Sequence, residues 1–213
     1  MTNKKTPTAN HKATILCLTI IGMTLFFISC NTVQPFTAAE RSLILSGTSE
    51  MPFKVLQVTD MQDSLFLRKP SFDLKNFAAD SAFHTLVARL KTTLAAENGV
   101  GIAAPQVGIS KNLFLFMRLD IPDNPVQVVV NPKIVHHPDT LVCFMRDGCL
   151  SIPDFSGNSS RYPWIEVEYF DEKGEKITER LEGYSRQDGF TAIIFQHEYD
   201  HTRGVLFTDR LCE

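Results

Sequence analysis

Positive charge is not in surplus in this chain of 213 residues: 21 Lys and Arg stand against 24 Asp and Glu, for a formal net charge of −3. That balance excludes the basic footprint by which nucleic acid is held, so no nucleic-acid partner is expected. A repeat of fixed period is lacking, as is any long low-complexity tract. Cysteine is scarce, with five residues in all. Cys17 and Cys30 fall near the N-terminus, and Cys143, Cys149 and Cys212 are too few and too scattered for a disulfide framework. Cys143, inside a strand-like run, reads as a buried small hydrophobe. The rest is ordinary, 44% hydrophobic and 21% charged, in a length sufficient for one domain with its own core.

The N-terminus departs from that average. MTNKKTPTANHK, with Lys4, Lys5 and Lys12, precedes the uncharged run ATILCLTIIGMTLFFIS, which ends at Cys30. A basic stretch, an apolar stretch and a small residue at the boundary form the pattern of a secretory signal. The apolar run, roughly 17 residues, is at the short end for a membrane span. Ser29-Cys30 at its end resembles the lipobox of bacterial lipoproteins, although Phe27 stands where Leu is commonest. That resemblance implies cleavage before Cys30 and lipidation of Cys30. The alternative is an uncleaved N-terminal membrane helix. Either route puts the domain outside the cytoplasm, anchored to a membrane. The expected division is a signal over 1–29, a tether over 30–50 and a catalytic domain over 51–213.

Within the domain, PFKVLQV has partial alternation and reads as a first strand or extended segment, and DSLFLRKPSFDL, with Pro70, as an extended loop. From Ser81 to Asn98 the spacing of Phe83, Leu86, Val87, Leu90 and Leu94 predicts a helix with one apolar stripe, capped by Asp80 or Ser81 and closed by Gly99. NLFLFMR, VQVVVNP and TLVCFM are strand candidates, the first two separated by the turn-like DIPDNP. WIEVEYF and KITERLEGY flank DEKG, a hairpin turn. DGFTAIIFQHEYDHTRG predicts a largely buried helix with a cap at Asp188 and a stop at Gly204, and VLFTDRL a short closing strand or extended segment. Separate strands with two helices indicate an α+β fold.

On that last helix His197 and His201 are four residues apart and share a face, so both imidazoles can hold one cation. Glu198 stands where its carboxylate can act on a water at that cation. Such a site needs a third protein ligand and one open position. Downstream only Asp209 and Glu213 offer carboxylates, neither in an evident helix, so the search turns upstream. Cys149 in RDGCLSIP is the candidate, because a thiolate suits zinc or ferrous iron.

Three ordered segments then resemble the peptide deformylase family. GVGIAAPQ (Gly99 to Gln106) resembles its Gly-x-Gly-x-Ala-Ala-x-Gln motif, DGCLS (Asp147 to Ser151) its Glu-Gly-Cys-Leu-Ser motif, and QHEYDH (Gln196 to His201) its Gln-His-Glu-x-Asp-His motif. The resemblance covers about Phe53 to Leu211. It implies small antiparallel or mixed sheets packed around a central metal-binding helix, and hydrolysis of N-formylmethionyl peptides to formate and a free N-terminus. It implies one divalent ion, Fe2+ or Zn2+ with Ni2+ also accepted, held by Cys149, His197 and His201. Exposure outside the cytoplasm favours zinc over readily oxidised ferrous iron.

Carried over residue by residue, Glu198 is the base, and the Gln106 side-chain amide with the Leu150 N–H donates to the oxyanion. Gly99 and Gly101 belong to a segment that pairs with extended substrate. Val100, Met145, Phe190, Ile193 and Ile194 match the apolar pocket for methionine, with Ile194 equally readable as core. Asp147 replaces the family's Glu and is expected to pair with Arg161, bracing the Cys149 loop. Asp200 reads either as a residue orienting a ligand or as a solvated acid. An Arg that commonly follows the SIP segment is missing from DFSGNSS. The chain stops soon after the last motif, so a ribosome partner is not expected. A metallopeptidase or amidase acting on another N-acyl bond, and a metal- or peptide-binding surface protein, are the competing readings.

Overall fold

The structure is a computed structural model that describes residues 1–2, 35–187 and 189–212. The N-terminal apolar run, Cys17, Cys30 and Asp188 lie outside the described residues. In chain order the elements are α1 (Ala38–Ile44), α2 (Met61–Leu67), α3 (Ser81–Ala96), β1 (Gly101–Ala103), β2 (Leu113–Met117), β3 (Val126–His136), β4 (Val142–Cys149), β5 (Ile152–Arg161), β6 (Trp164–Phe170), β7 (Lys176–Glu182) and α4 (Thr191–Thr202). Short 3-10 turns follow β1 and α4, at Ala104–Val107 and Phe207–Arg210. Among the described residues no helix is long and apolar enough to cross a membrane.

β2 explains the architecture. Leu113 and Leu115 pack with Phe83, Leu86 and Leu90 of α3, whereas Phe114 and Phe116 pack with Ile194 and Phe195 of α4. A strand covered on both faces has no solvent side to mark with polar residues, which is why LFLFM is apolar throughout. β2 lies inside a five-stranded antiparallel sheet of order β1-β2-β3-β6-β7, and β4 pairs with β5 in a separate antiparallel ribbon. The Phe195 ring meets those of Phe114 and Phe116 edge-on, at 4.9 and 5.4 Å between centroids. Burying each such side chain contributes roughly 1.5–3 kcal/mol, so this contact seats α4 firmly on the sheet.

Several expected elements hold. α3 begins at Asp80, whose carboxylate accepts from the Ala82 N–H. Asp171 to Gly174 turns β6 into β7. All of α4 except Tyr199 is buried, and the helix stops before Gly204, whose φ of +72° and a carbonyl of Arg68 only 2.4 Å from a would-be Cβ demand glycine.

Other segments differ from expectation. The stretch expected to be a tether contains α1, whose Thr37 and Glu40 form a reciprocal capping box, and it places Phe36 and Ile44 in the core. DSLFLRKP holds α2, started by Asp60 accepting from the Gln62 and Asp63 N–H groups, not an extended loop. PFKVLQV takes the second of its two expected forms, an extended segment outside the named strands, and its Leu56 and Val58 N–H groups donate to the Gln106 and Ser151 carbonyls. The closing segment, expected as a short strand or extended segment, instead folds Phe207–Arg210 into a 3-10 turn. β5 is a strand that its small, polar composition conceals.

The cysteine reading is corrected. Cys143 is an exposed residue bonded to Cys212, across a sequence separation of 69. The partner is carried to it by the C-terminal tail, where Leu211 bridges to Ser159 and the Cys212 N–H donates to the Asn158 carbonyl. Cys149 is the free cysteine among the described residues.

Candidate metal centre and substrate cleft

α4 presents His197 and His201 one turn apart, both buried, with ring centroids 5.1 Å apart. β4 ends at Cys149 and delivers its sulfur to 3.2 Å from His201 Nε2. One donor atom from each of the three residues lies within 4.8 Å of the others. The three residues that local sequence and motif order single out as ligands therefore converge, although Cys149 is 52 positions from His201. A thiol and two imidazoles with access to a cleft form the donor set of a site with one open position, which fits one divalent metal ion.

The surrounding polar groups fit as well. His197 Nδ1 donates to Asp147 Oδ1 at 3.0 Å, which leaves Nε2 for the centre. Asp147 Oδ2 accepts from Ser159 Oγ at 2.6 Å and Arg161 Nη2 at 3.1 Å. Arg161 is only 1% exposed, and its Nη1 donates to Asp200 Oδ2 at 2.5 Å. Arg210 closes the chain with two hydrogen bonds to Asp200, at 2.5 and 2.7 Å. The expected Asp147–Arg161 pair is present, and Asp147 in addition orients a ligand directly. Asp200 is neither solvated nor on a ligand: it is buried and holds Arg161 and Arg210.

Burial opposes ionisation of Asp147, yet the hydrogen bond and charge of His197, followed by Arg161, hold its carboxyl well below the usual range. Burial likewise opposes charge on His197, but the hydrogen bond to Asp147 and its charge raise that imidazole well above its ordinary value. His201 goes the other way, kept neutral first by burial and then by the charge of His197. Burial pushes Glu198 up to about 7. Glu198 Oε2 is buried with no protein partner, an atom kept for something other than folding.

A cleft of about 320 Å³ opens over this centre. Gly99, Val100, Gly101, Gln106, Asp147, Cys149, Leu150, Phe190, Ile193, Ile194, His197 and Glu198 all line it. Gln106 is aimed by its own backbone neighbour: the Ala103 N–H donates to Oε1 at 2.8 Å, so Nε2 faces Ser151 Oγ at 3.2 Å and Cys149 Sγ at 3.6 Å. Gly101 is required by the protein itself, since a Cβ there would lie 2.4 Å from Glu198 Oε1. At Gly99 a Cβ would meet Leu94 Cδ1 at 2.9 Å.

Met145 is corrected. It is 58% exposed and does not line the cleft; Phe144, 3% exposed, does so with Phe190. One extra residue in β4 between Phe144 and Asp147, with Arg146 at φ +57°, breaks the alternation and turns Met145 outward. Ile194 lines the cleft while also packing in the core, so both of its readings apply. Sequence reasoning missed Phe144, Ser159, Arg186 and Arg210. Alternation back from Asp147 could not have found Phe144, because the bulge reverses it.

The sequence model of the polypeptide deformylase family matches residues 55–213. Peptide deformylase of Thermotoga petrophila is 40% identical over 146 residues, 68% of this chain and 80% of that protein. The crystal structure of peptide deformylase from Thermotoga maritima superposes with a TM-score of 0.65 at 33% identity, covering 76% of this chain and 99% of the other. A Met-Ala-Ser-bound class I type b peptide deformylase from Acinetobacter baumannii matches at 0.65 and 30% identity, again over 76% and 99%. With the Cys-His-His centre at the heart of the matched region, this chain belongs to the polypeptide deformylase family of metal-dependent hydrolases.

Proposed function

We propose that this chain removes the formyl group from N-formylmethionyl peptides, with Glu198 as base and Gln106 and Leu150 as oxyanion donors, and that it works outside the cytoplasm as a membrane-anchored protein. The observation that carries the chemistry is the buried Glu198 carboxyl, its Oε2 without a protein partner, on the same cleft as Cys149, His197 and the aimed Gln106 amide. Held by Cys149, His197 and His201, a divalent ion supplies Lewis acidity and makes water nucleophilic near neutral pH. Asp147 fixes the His197 ring and raises its basicity as a ligand. Phe144, Phe190, Ile193 and Ile194 take the methionine side chain and set the formyl carbon over the centre. Glu198 accepts the proton of the attacking water and returns it to the leaving amine nitrogen. The C–O bond forms, the C–N bond breaks, and formate leaves with a free N-terminal amine. Gln106 Nε2 and the Leu150 N–H stabilise the oxygen as it gains charge, each worth about 3 kcal/mol.

The location rests on the signal-like N-terminus ending in Cys30 and on the Cys143–Cys212 disulfide, since disulfides persist in oxidising compartments. Formate release from formyl-Met-Ala-Ser, measured with the chain loaded separately with iron, nickel and zinc, tests the chemistry. We expect turnover that needs the metal. Inert formyl peptide alongside turnover of another N-acyl peptide would establish the amidase reading. Tight peptide binding without formate release would establish the surface-binding reading. Membrane fractionation and exposure to external protease test the location, and recovery of the mature domain in the cytosol sinks it.

Gly101→Ala bears on the mechanism directly. The new methyl group drives the Glu198 carboxylate from its place, and a shift of about 1 Å at a reacting group lowers turnover about 10²-fold. Kinetics beside metal analysis should show that loss in kcat at unchanged metal content. Full activity in this variant would mean that Glu198 works from another position.

A further inference from the structure

We propose that Arg186, stacked across Phe144 and Phe190 at the lip of the cleft, binds a carboxylate carried by the substrate peptide within its first few residues. The inference rests on the deformylase reading of this cleft and adds a substrate class to it. Arg186 belongs to the connection between β7 and α4 and lines the same cleft as Cys149 and Glu198. Its guanidinium carbon lies 5.2 Å from the Phe144 ring centroid and 5.1 Å from that of Phe190. Those two rings are themselves 5.3 Å apart. Nη2 donates to the Arg146 carbonyl at 2.8 Å. An exposed arginine is thus held in place by two aromatic faces and a hydrogen bond, so less rotamer freedom is lost when a ligand arrives.

The charge balance of the cleft leaves this cation for a ligand. Of the cleft's two carboxyl side chains, Asp147 is buried and engaged by His197, Ser159 and Arg161, while Glu198 is buried beside the metal ligands. No ion pair among the described residues involves Arg186. Its N–H groups beyond the one donated to Arg146 form a fork that matches a carboxylate in two-point geometry. The rings beneath it form the apolar pocket, so a peptide that fills the pocket passes directly under the cation. The carboxylate can be the C-terminus of a very short peptide or an early Asp or Glu side chain.

Two peptide pairs separate these sources, using the full-length metal-loaded chain in detergent. One is formyl-Met-Ala-Ser against its C-terminal amide. The other is the amides of formyl-Met-Glu-Ser and formyl-Met-Gln-Ser. In at least one pair we expect kcat/KM about tenfold higher for the carboxylate member, mainly through KM, as a partly exposed charge-assisted contact allows. High salt should shrink the ratio. Arg186→Gln should bring it to about 1, and Arg186→Lys should retain part of it. A ratio near 1 in both pairs for the unaltered chain, or a ratio that survives Arg186→Gln, overturns the proposal. Calorimetric titration with Met-Ala-Ser and its amide keeps the two questions apart. Tighter binding of the acid without formate release from any formyl peptide would keep the carboxylate site and remove the deformylase reading. Formate release with equal binding of acid and amide, and equal rates in both pairs, would do the reverse.

Discussion

Glu198→Gln should lower kcat for formyl-Met-Ala-Ser roughly 10²–10⁴-fold while one metal ion per chain is retained, because the amide keeps the shape and cannot take a proton. The same change should strengthen the metal-free fold. Glu198 is pushed up from 4.5 to about 7, first by burial and then by Asp147, with His197 and Arg161 opposing. A carboxyl whose folded pKa exceeds its unfolded value holds its proton more tightly when folded. Metal-free stability therefore falls as pH rises from about 4.5 to about 7 and stays low above that. The difference amounts to about 3 kcal/mol at pH 8. Urea midpoints of the metal-free proteins should coincide near pH 4.5, with the glutamine variant the more stable at pH 8. A glutamine variant that is less stable at pH 8 would show that the carboxylate has a stabilising partner. Bound metal supplies positive charge beside Glu198, so the pH effect belongs to the metal-free state.

Arg161→Ala should strongly destabilise the fold while leaving all metal ligands in place. Arg161 is 1% exposed and bridges the buried carboxylates of Asp147 and Asp200. Removing one partner from a buried ionic chain leaves charge without compensation and costs about 3–5 kcal/mol. Asp200 retains Arg210, so the heavier loss falls on Asp147, which Ser159 and His197 alone would then hold. Because Asp147 orients His197, metal affinity should fall about 10–100-fold as well. Urea unfolding of the metal-free protein and competition with a chelator read the two effects separately. Arg161→Lys keeps the charge but not the fork, and should restore stability more than metal affinity. Unchanged affinity in Arg161→Ala would mean that Asp147 orients His197 without help from the arginine.

The site was more legible than its support. His197, Glu198 and His201 are legible because a helix repeats its face every three to four residues, so chemistry at that spacing is visible in the string. Cys149, Gln106 and the glycines became legible through three ordered motifs. Gly101 was expected to admit substrate backbone; its close neighbour is Glu198 itself, 97 positions away in the chain. Met145 failed and Phe144 replaced it because one inserted residue in β4 reverses which side chains face the cleft. Cys143 looked like a small hydrophobe because nothing local to it announces Cys212.

By itself, then, the sequence determined the α+β class, the two principal helices, the β-rich middle and the candidate metal-binding trio, and it singled out Glu198 as the proposed base, each through local periodicity or a motif whose spacing follows backbone geometry. Tertiary structure alone decided that His197 joins the expected Asp147–Arg161 pair and that Asp200 extends it to Arg210 at the surface, that Cys143 meets Cys212, and that Arg186 stands over the aromatic wall of the cleft. The decisive ones join segments far apart in the chain, His197 to Asp147 across 50 positions, Arg161 to Asp200 across 39 and Cys143 to Cys212 across 69. Their existence depends on how α4 seats against the sheet and how the β4–β5 ribbon bulges, and neither periodicity nor composition encodes the meeting of two distant side chains.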